Sequence, residues 1–464
     1  MCFTKLSECA QLARPCAGVF ASLSKRSPNF QTAVIRFIYN LLWPIGLLFF
    51  LPGYFIKMVR RGGYREKFGQ RLGIYDRELR VRLSRQRSTW LHAVSVGEVN
   101  IALKLANALR AFEPDLHCVL TTTTTTGFAL ANQNAPSWME VMYTPLDYWP
   151  IMRRAFSAIR PARIVLVEAE IWPNLAAEAH TRRISLALVN ARLSPRSERR
   201  YQRFRFFLAP TFRLLDLVCV QEPEDAARWQ RIGVERSRTK CTGSIKYDPD
   251  VQSQAVAAPL WDASSVGIPD GAVLFGGSTH RGEEEILATI FLRLRQQFPS
   301  LRLFIAPRHV ERLREIRAQL DALGLHVALA SNPRLDGEPN KADCVLLDTT
   351  GELQRWYDIA TVVFVGKSLT AHGGQNPVEP ILAGKPVVFG PHMENFAMLA
   401  KLLVSRKAAI QVRDADSLER AIIELLQDTE ARQRLVQNAR EVLSTHKGAT
   451  ERAAALVHEV HSVL

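Results

Sequence analysis

The most informative segment for chemistry lies between residues 362 and 396. An apolar run, Val362 to Val365, ends at a glycine, a glycine-containing loop follows, and Asn376-Pro377-Val378-Glu379 begins a predicted helix. This order predicts a strand leading into a helix N-terminus, where backbone N–H groups and the helix dipole favour anions. Glu379 falls in the first helical turn, where its carboxylate could also accept hydrogen bonds from ligand hydroxyls. A phosphate and a ribose diol could share such a site.

A second candidate is Glu98, which follows a predicted strand ending at Val94 and begins the next predicted helix. In doubly wound α/β folds, ligands bind at the carboxyl ends of the strands. A carboxylate there can act as a general base toward an acceptor hydroxyl within hydrogen-bond reach. The competing interpretation is a helix-capping glutamate at position N2 or N3, and the spacing by itself favours capping.

Charged residues also follow two other predicted strands. Glu168 and Glu170 lie one residue apart after the run Arg163 to Val167, where a ligand could use them or solvent could hydrate them as helix caps. Lys246 lies in the segment Gly243 to Asp248 and could bind an anionic group. Taken alone, it is also compatible with an ordinary exposed lysine.

Three other patterns carry less weight. The sequence Gly366-Lys367-Ser368 mimics the end of a P-loop, but position 361 is threonine where that motif needs glycine. Asp248-Pro249-Asp250 and Asp414-Ala415-Asp416 match the loose Asp-x-Asp pattern of metal-dependent sugar transferases, yet one falls in a linker and the other opens a surface helix. We therefore expect no catalytic metal. The run Thr121 to Thr126 could form strand and cap structure or contact a ligand.

The elements that must position these residues follow an alternating pattern of short apolar runs and amphipathic stretches. This alternation predicts an α/β protein with parallel, doubly wound sheets. Residues 248–270 are rich in Pro, Ser, Gln, Asp and Ala and predict a linker. We expect a Rossmann-like acceptor domain over 61–247 and a nucleotide-binding domain over 271–464, facing a cleft. The final helices would pack on the second domain, with a return of the last helix to the first domain as an alternative.

Thirteen runs are predicted to be strands: Thr89–Val94, Cys118–Leu120, Val141–Tyr143, Arg163–Val167, Ser185–Val189, Leu217–Val220, Lys240–Thr242, Val273–Phe275, Leu301–Ile305, Val345–Leu347, Val362–Val365, Val387–Phe389 and Ala408–Val412.

Composition narrows the class of protein. The 464 residues exceed one ordinary core, and an apolar fraction of 47% predicts folded material. A net charge of +15 favours a polyanionic partner, namely nucleic acid, anionic lipid or a phosphorylated substrate. No nucleic-acid-binding motif is present, so we expect no nucleic acid partner. The seven cysteines form no CxxC pair, which fits a reduced cytosolic environment.

The N-terminal region predicts a membrane segment. Residues 37–56 carry no formal charge and precede a cluster of basic residues that begins at Lys57. This length could cross a bilayer, but internal Asn, Pro and Gly residues also allow a shallow anchor, with a buried core helix as the alternative. We assign 34–60 as a membrane anchor and expect the bulk of the protein on the cytoplasmic side. Residues 1–33 are expected to be a poorly ordered extension, with a start codon assigned too early as the alternative.

Many ordered motifs together resemble one family, the bacterial 3-deoxy-D-manno-octulosonic acid (Kdo) transferases of glycosyltransferase family 30. The resemblance runs from about residue 38 to the C-terminus and rests on these segments: YREKFGQRLG (Tyr64–Gly73), WLHAVSVGE (Trp90–Glu98), Thr121–Gly127, YTPLD (Tyr143–Asp147), EAEIWPN (Glu168–Asn174), NARLS (Asn190–Ser194), GSIKYD (Gly243–Asp248), GSTHRGEE (Gly277–Glu284), APRHVER (Ala306–Arg312), DTTGEL (Asp348–Leu353) and GGQNPVEP (Gly373–Pro380).

The resemblance implies a GT-B fold, CMP-Kdo as donor, lipid A precursor as acceptor and an inverting transfer without metal or other cofactor at the cytoplasmic side of the inner membrane. Glu98 matches the general base, and Glu170 and Lys246 match residues that stabilise the transition state. The positions that match CMP-binding segments are Pro307, Arg308, Thr350, Gly351, Glu352, Asn376, Pro377, Val378 and Glu379.

Two other classes of protein remain open at this point. A soluble sugar-nucleotide epimerase could share the two-domain architecture, but it would not need residues 37–56. A non-enzymatic anionic-lipid-binding protein would explain the charge and the anchor. It would not need two loops with the features of a small-molecule binding site. Oligomeric state and the number of Kdo residues added cannot be predicted from the sequence.

Overall fold

The computed structural model describes residues 33–44, 67–168, 171–248, 271–331, 342–349 and 353–463. Nearly all of the predicted extension, the greater part of the predicted anchor and residues 249–270 of the predicted linker lie outside these ranges. The chain divides into two compact units. The first contains Met1–Asp248 and His446–Leu464, and the second contains Pro249–Thr445.

The first unit is built on a parallel sheet of seven strands in the order β3-β2-β1-β4-β5-β6-β7. Strands β1 to β6 are almost entirely buried, which explains why apolar residues predominate in them, whereas the edge strand β7 is only partly buried. Their bounds are β1 Ser88–Ala93, β2 Cys118–Thr122, β3 Met139–Tyr143, β4 Pro161–Val167, β5 Ser185–Ala191, β6 Leu217–Val220 and β7 Thr239–Cys241.

Helices pack on both faces of this sheet. The helix Val96–Phe112 shows why they form, since its buried residues recur at helical spacing and Ser95 caps its first turn. The other helices are 33–44, Phe68–Arg71, Arg77–Ser84, Thr125–Asn134, Trp149–Ile159, Pro173–Thr181, Pro195–Arg203, Arg205–Phe212, Pro223–Ile232, the 3-10 turn Arg236–Arg238, and Ala449–Val463.

The last helix differs from the predicted boundary of the second domain, because residues 446–464 pack in the first unit. Ala453, Ala454 and Val457 lie in a core cluster of that unit. The helix begins where Asp248 accepts hydrogen bonds from Gly448 N (2.7 Å) and Thr450 N (2.7 Å). Burial of this apolar face and the capping carboxylate hold the helix in the first unit.

The second unit repeats the architecture with the strand order β10-β11-β9-β8-β12-β13-β14. All its strand pairs are parallel. The bounds are β8 Val273–Thr279, β9 Arg302–Pro307, β10 Val327–Leu329, β11 Cys344–Leu346, β12 Val362–Val365, β13 Val387–Phe389 and β14 Ile410–Gln411.

The helical segments between β11 and residue 396 are short, and the last three helices of the unit are longer. The helical segments of the whole unit are Glu283–Leu294, the 3-10 turn Val310–Arg312, Leu313–Ala322, Leu353–Trp356, the 3-10 turn Tyr357–Ile359, Val378–Leu382, the 3-10 turn Glu394–Phe396, Ala397–Ser405, Ala415–Gln427 and Thr429–Ser444.

Near its centre each sheet changes the direction of its strand order, between β1 and β4 in the first unit and between β8 and β12 in the second. Loops leaving neighbouring strands at such a switch point diverge and leave a crevice at the carboxyl ends of the strands. The fold therefore predicts one ligand-binding position in each unit.

The N-terminal helix over residues 33–44 docks on the first unit through polar side chains. Arg36 Nε donates to Asn174 Oδ1 (3.1 Å), and the Asn40 and Asn174 amides exchange bonds of 2.8 and 3.0 Å. Phe37 and Leu41 stay exposed, at 69% and 61%. In the part of the chain that the structure describes, no helix is long and apolar enough to span a membrane. The predicted anchor over 34–60 thus remains a prediction.

Candidate active site

A cavity of about 360 Å³ opens at the carboxyl end of the second sheet. Four of the predicted nucleotide-binding residues line it, namely Pro307, Arg308, Asn376 and Glu379. The other lining residues are Gly277, Ser278, Ala306, Val310, Leu347, Thr349, Leu353, Gln354, Tyr357 and Gln375. They come from the ends of β8 and β9, from the segments that follow β9, β11 and β12, and from the helical turns over residues 353–359. The volume falls within the usual range of small-molecule sites.

The polar edge of the cavity is preorganised around Asn376. Its Oδ1 accepts a hydrogen bond from Val378 N (3.0 Å), and its Nδ2 donates to Glu379 Oε1 (2.9 Å). The exposed Arg308 supplies a cation at the end of β9. Pro377 and Val378 are buried behind this edge. The predicted residues Thr350, Gly351 and Glu352 lie outside the described part of the chain.

One wall of the cavity depends on a glycine. A Cβ atom at Gly277 would lie 2.6 Å from Tyr357 Oη, so a side chain at this position would displace the phenol. Burial raises the pKa of Tyr357 well above its ordinary value, so the phenol remains a neutral hydrogen-bond donor. Sequence reasoning did not select Tyr357 or Gln354. The glycine pair at 276 and 277, directly after the apolar start of β8, was the sequence feature that could have indicated a close contact at this wall.

A buried carboxylate, Glu283, joins the two loops at the switch point of the second unit. Its Oε1 accepts from Ser368 N (2.9 Å) and Leu369 N (3.0 Å), and its Oε2 accepts from His280 N (2.8 Å) and Lys367 N (2.7 Å). These four bonds connect the loop after β8 to the loop after β12, which continues to Asn376. Glu283 therefore positions the binding loop, a role that its place in the GSTHRGEE motif did not reveal.

In the first unit, Glu98 lies at helix position N3, as the capping interpretation predicts. Val94 N donates to its Oε2 (2.8 Å), and Ser95 Oγ donates to its Oε1 (2.9 Å). The side chain is partly exposed. These contacts fix the carboxylate at the carboxyl end of β1, so a capping role and a role toward a ligand are geometrically compatible.

The threonine run beside Glu98 builds the neighbouring loop. Thr124 caps the helix Thr125–Asn134 by accepting from Gly127 N (3.1 Å), and its hydroxyl donates to Val94 O (3.1 Å). A Cβ atom at Gly127 would lie 2.7 Å from Thr122 Oγ1. The strand-and-cap interpretation therefore accounts for the contacts of this run.

Lys246 is half-buried after β7, where the charges of Glu168 and Arg192 act on it. Burial lowers the pKa of Lys246, Glu168 opposes this effect and Arg192 adds to it. Glu168 adopts a left-handed φ of 66°, directly after β4. Glu170 lies outside the described residues. Lys246 and Glu168 therefore interact electrostatically, and Arg192 is an additional cation from the NARLS segment.

A further carboxylate, that of Asp147, binds the C-terminal end of the EAEIWPN segment. Asp147 is fully buried and accepts hydrogen bonds from Asn174 N (3.0 Å) and Leu175 N (2.9 Å) at the start of the helix Pro173–Thr181. Burial raises the pKa of Asp147 to about 6, against these hydrogen bonds, which lower it. Sequence reasoning recorded this residue only as part of the YTPLD motif.

The two parallel seven-stranded sheets form an α/β fold of the GT-B type. A family model for glycosyl transferases group 1 matches residues 339–442. A second model, for 3-deoxy-D-manno-octulosonic-acid transferase (kdotransferase), matches residues 66–249.

Two curated relatives identify the family. The Haemophilus influenzae 3-deoxy-D-manno-octulosonic acid transferase is 31% identical over 400 residues, which cover 86% of this chain and 92% of the relative. The Bordetella pertussis 3-deoxy-D-manno-octulosonic acid transferase is 34% identical, covering 78% of this chain and 85% of the relative. The chain belongs to the Kdo transferase family.

A solved structure supports the fold independently. The Staphylococcus aureus MnaA–UDP complex superposes with a TM-score of 0.52 over 82% of this chain and 98% of that protein. At 13% identity this likeness concerns the fold alone.

Proposed function

We propose that this protein transfers Kdo from CMP-Kdo to a hydroxyl group of a lipid A precursor, with inversion at the anomeric carbon. The observation that carries the proposal is the cavity in which Pro307, Arg308, Asn376 and Glu379 meet, in a chain that belongs to the Kdo transferase family. Arg308 would offset phosphate charge, and Glu379 could accept hydrogen bonds from ribose hydroxyls.

In the proposed reaction, the acceptor oxygen bonds to the anomeric carbon of Kdo while the bond from that carbon to the phosphate oxygen of CMP breaks. Glu98 takes the acceptor proton, and CMP leaves with the electron pair of the broken bond. The hydrogen bonds from Val94 N and Ser95 Oγ would hold the carboxylate in one orientation for this step. A nucleoside monophosphate is already a stabilised leaving group.

Lys246 and Glu170 are proposed to stabilise the transition state. The half-buried ammonium group of Lys246 would interact with the carboxylate of Kdo or with the phosphate, because partial desolvation strengthens such an attraction. Arg192 would add to the positive potential at the same strand ends.

The acceptor is proposed to remain in an anionic membrane while it reacts. The exposed apolar side chains of the helix over residues 33–44, including Phe37, Leu41 and Leu42, support contact with lipid. Membrane association would bring a basic protein to a phosphorylated lipid, where each cation near the surface contributes about 1 kcal/mol. We propose the cytoplasmic side of the inner membrane as the location.

The two rival functions are not favoured. The curated relatives at 31% and 34% identity are transferases, whereas the solved neighbour under 25% identity supports only the fold. An epimerase would act on a sugar nucleotide without an acceptor. A lipid-binding scaffold would show no stabilisation by CMP.

The test is transfer from CMP-Kdo, generated in situ, to tetraacylated lipid A precursor, followed by product mass. Glu98→Gln should reduce the rate by about 10²- to 10⁴-fold, the usual contribution of a general base. Glu224→Gln is a matched control, because Glu224 is an exposed glutamate in the first turn of the helix Pro223–Ile232. This control should retain the wild-type rate.

Thermal protection by CMP shows whether the Glu98→Gln variant retains its nucleotide site. Loss of transfer with CMP protection intact supports Glu98 as the base. Near-wild-type transfer by this variant would refute the assignment. If the folded wild type binds CMP and transfers nothing, the acceptor is wrong, and the mass added in a positive assay reports how many Kdo residues are transferred.

A further inference from the structure

Two histidines and a glutamate converge on one side of the glycine loop in the second unit. His372 lies in the loop after β12, His392 lies in the loop after β13, and Glu394 begins the 3-10 turn that follows this second loop. Glu394 Oε1 is 3.0 Å from His372 Nδ1 and 3.6 Å from His392 Nδ1. We propose that these three residues form a binding site for a divalent transition-metal ion of the Zn²⁺ type.

The distances match those between ligands of a single ion. Zn²⁺ binds imidazole nitrogen and carboxylate oxygen at about 2.0–2.2 Å, so the ligand atoms of a tetrahedral site lie roughly 3.3 Å apart. The two measured separations, 3.0 and 3.6 Å, lie on either side of this value. One ligand atom from each residue lies within 4.8 Å of the others. An ion could therefore bind with only small side-chain movements.

The donor set indicates the class of ion. Two imidazoles and one carboxylate suit Zn²⁺, Ni²⁺ or Cu²⁺, whereas Mg²⁺ and Ca²⁺ prefer a shell made of oxygen atoms. The side chains of His372 and Glu394 are 77% and 55% exposed, and that of His392 is 32% exposed. Solvent can therefore reach the site and supply a water molecule as the fourth ligand.

The two loops that carry the ligands are already held together by other contacts. Glu394 Oε2 accepts a hydrogen bond from Gly373 N (2.6 Å), and Asn395 N donates to Gly373 O (2.8 Å). His392 N donates to Ser368 O (2.9 Å). Such outer contacts orient a metal ligand before the ion arrives, which reduces the entropy lost on binding.

The competing interpretation is an ion pair between protonated histidine and Glu394. That arrangement needs one histidine, and it would not explain why a second imidazole lies with its ring centroid 4.0 Å from the first. The two imidazole rings converging on the same carboxylate oxygen favour a shared ion. The neighbouring Lys367 adds a positive charge, so the site should bind a transition metal more weakly than a fully buried centre.

A bound ion would connect the loop that carries Gly373 and Gly374 to the loop after β13. The first loop continues directly to Asn376, so the ion would stabilise the approach to the nucleotide cavity. This role lies outside the transfer chemistry, and the site can be tested without donor or acceptor substrates.

The experiment measures Zn²⁺ binding to the full chain, prepared without a polyhistidine tag, by competition with a chromogenic chelator. We expect His372→Ala, His392→Ala and Glu394→Gln each to weaken one site by at least roughly tenfold relative to wild type. The matched control is His326→Ala, because His326 forms an exposed 3.0 Å pair with Asp343 but belongs to no such three-residue group among the described residues. The control should bind as the wild type does.

Thermal unfolding gives an independent readout. Zn²⁺ at roughly 100 times its dissociation constant should raise the unfolding midpoint of the wild type and of His326→Ala, and this rise should disappear in His372→Ala. Equal Zn²⁺ affinity and equal stabilisation in the wild type and in the three ligand variants would overturn the proposal. Absence of Zn²⁺ binding by the folded wild type would overturn it as well.

Discussion

Replacement of Glu283 by glutamine tests how the two loops of the second unit are held. The carboxylate accepts four backbone hydrogen bonds, two on each oxygen, from His280, Lys367, Ser368 and Leu369. A glutamine amide keeps one of the two oxygens, so two of the four N–H groups lose their acceptor. An unsatisfied buried donor costs about 1–2 kcal/mol, so the variant should lose about 2–4 kcal/mol of unfolding free energy.

The lost bonds also hold an unusual backbone conformation. Lys367 has a left-handed φ of 56°, which a non-glycine residue adopts only when its surroundings hold it there. Without the carboxylate, the amides of Lys367, Ser368 and Leu369 should exchange hydrogen faster than in the wild type. The unfolding midpoint of the second unit should fall by roughly 4–16 °C, the range for a unit of about 200 residues.

The assay combines thermal unfolding with hydrogen exchange of the peptide that contains residues 367–369. Glu285→Gln is the matched control, because Glu285 lies in the same first helical turn but is exposed. This control should stay within about 0.5 kcal/mol of wild type. If Glu283→Gln and Glu285→Gln have equal midpoints and equal exchange rates, the four hydrogen bonds do not stabilise the loops as argued.

Four further predictions follow from other positions. Burial raises the pKa of Asp147 from 3.8 to about 6. Between these two pH values the carboxyl group is therefore protonated in the native state and ionised in the unfolded state. As pH rises from 4 to 6, the wild type should lose up to about 3 kcal/mol of unfolding free energy relative to Asp147→Asn, measured by denaturant titration at each pH. Gly366→Ala should lower the unfolding midpoint strongly, because its Cβ would overlap the carbonyl oxygen of Ser278. Gly97→Ala should raise stability by about 0.4–1 kcal/mol, since no heavy atom of the described residues lies within 4 Å of the added Cβ. Arg308→Ala should weaken CMP binding in calorimetry by about tenfold or more, the loss expected for a charge-assisted contact, without changing the unfolding midpoint in the absence of CMP.

The sequence predicted the strands well because each central strand is buried on both faces and is therefore a continuous apolar run. The runs Leu217–Val220, Val362–Val365 and Val387–Phe389 agree with the observed bounds of β6, β12 and β13. The strand β10, Val327–Leu329, was not predicted. It has only three residues and lies at the edge of its sheet, so its apolar signal is short.

Parts of the candidate site depend on contacts that no local pattern contains. Glu283 binds backbone groups 84 to 86 residues further along the chain. Asp147 caps a helix 27 residues away. The last helix returns to the first unit because its apolar face completes that core, although the chain reaches it from the second unit. Helical periodicity shows that such a face exists, but it does not indicate which core will bury it.

Glu98 and Glu283 show what the structure adds to the sequence. Each lies in the first turn of the helix that follows the first strand of its unit, so the sequence pattern treats them alike. Glu283 is 0% exposed and its oxygens face four backbone N–H groups, so a ligand could reach it only if the loops separated. Glu98 is partly exposed beside the open space at Gly97, where an acceptor could approach. Because of this difference in burial, a substitution at Glu283 should be tested by its effect on stability, and a substitution at Glu98 by its effect on the transfer rate.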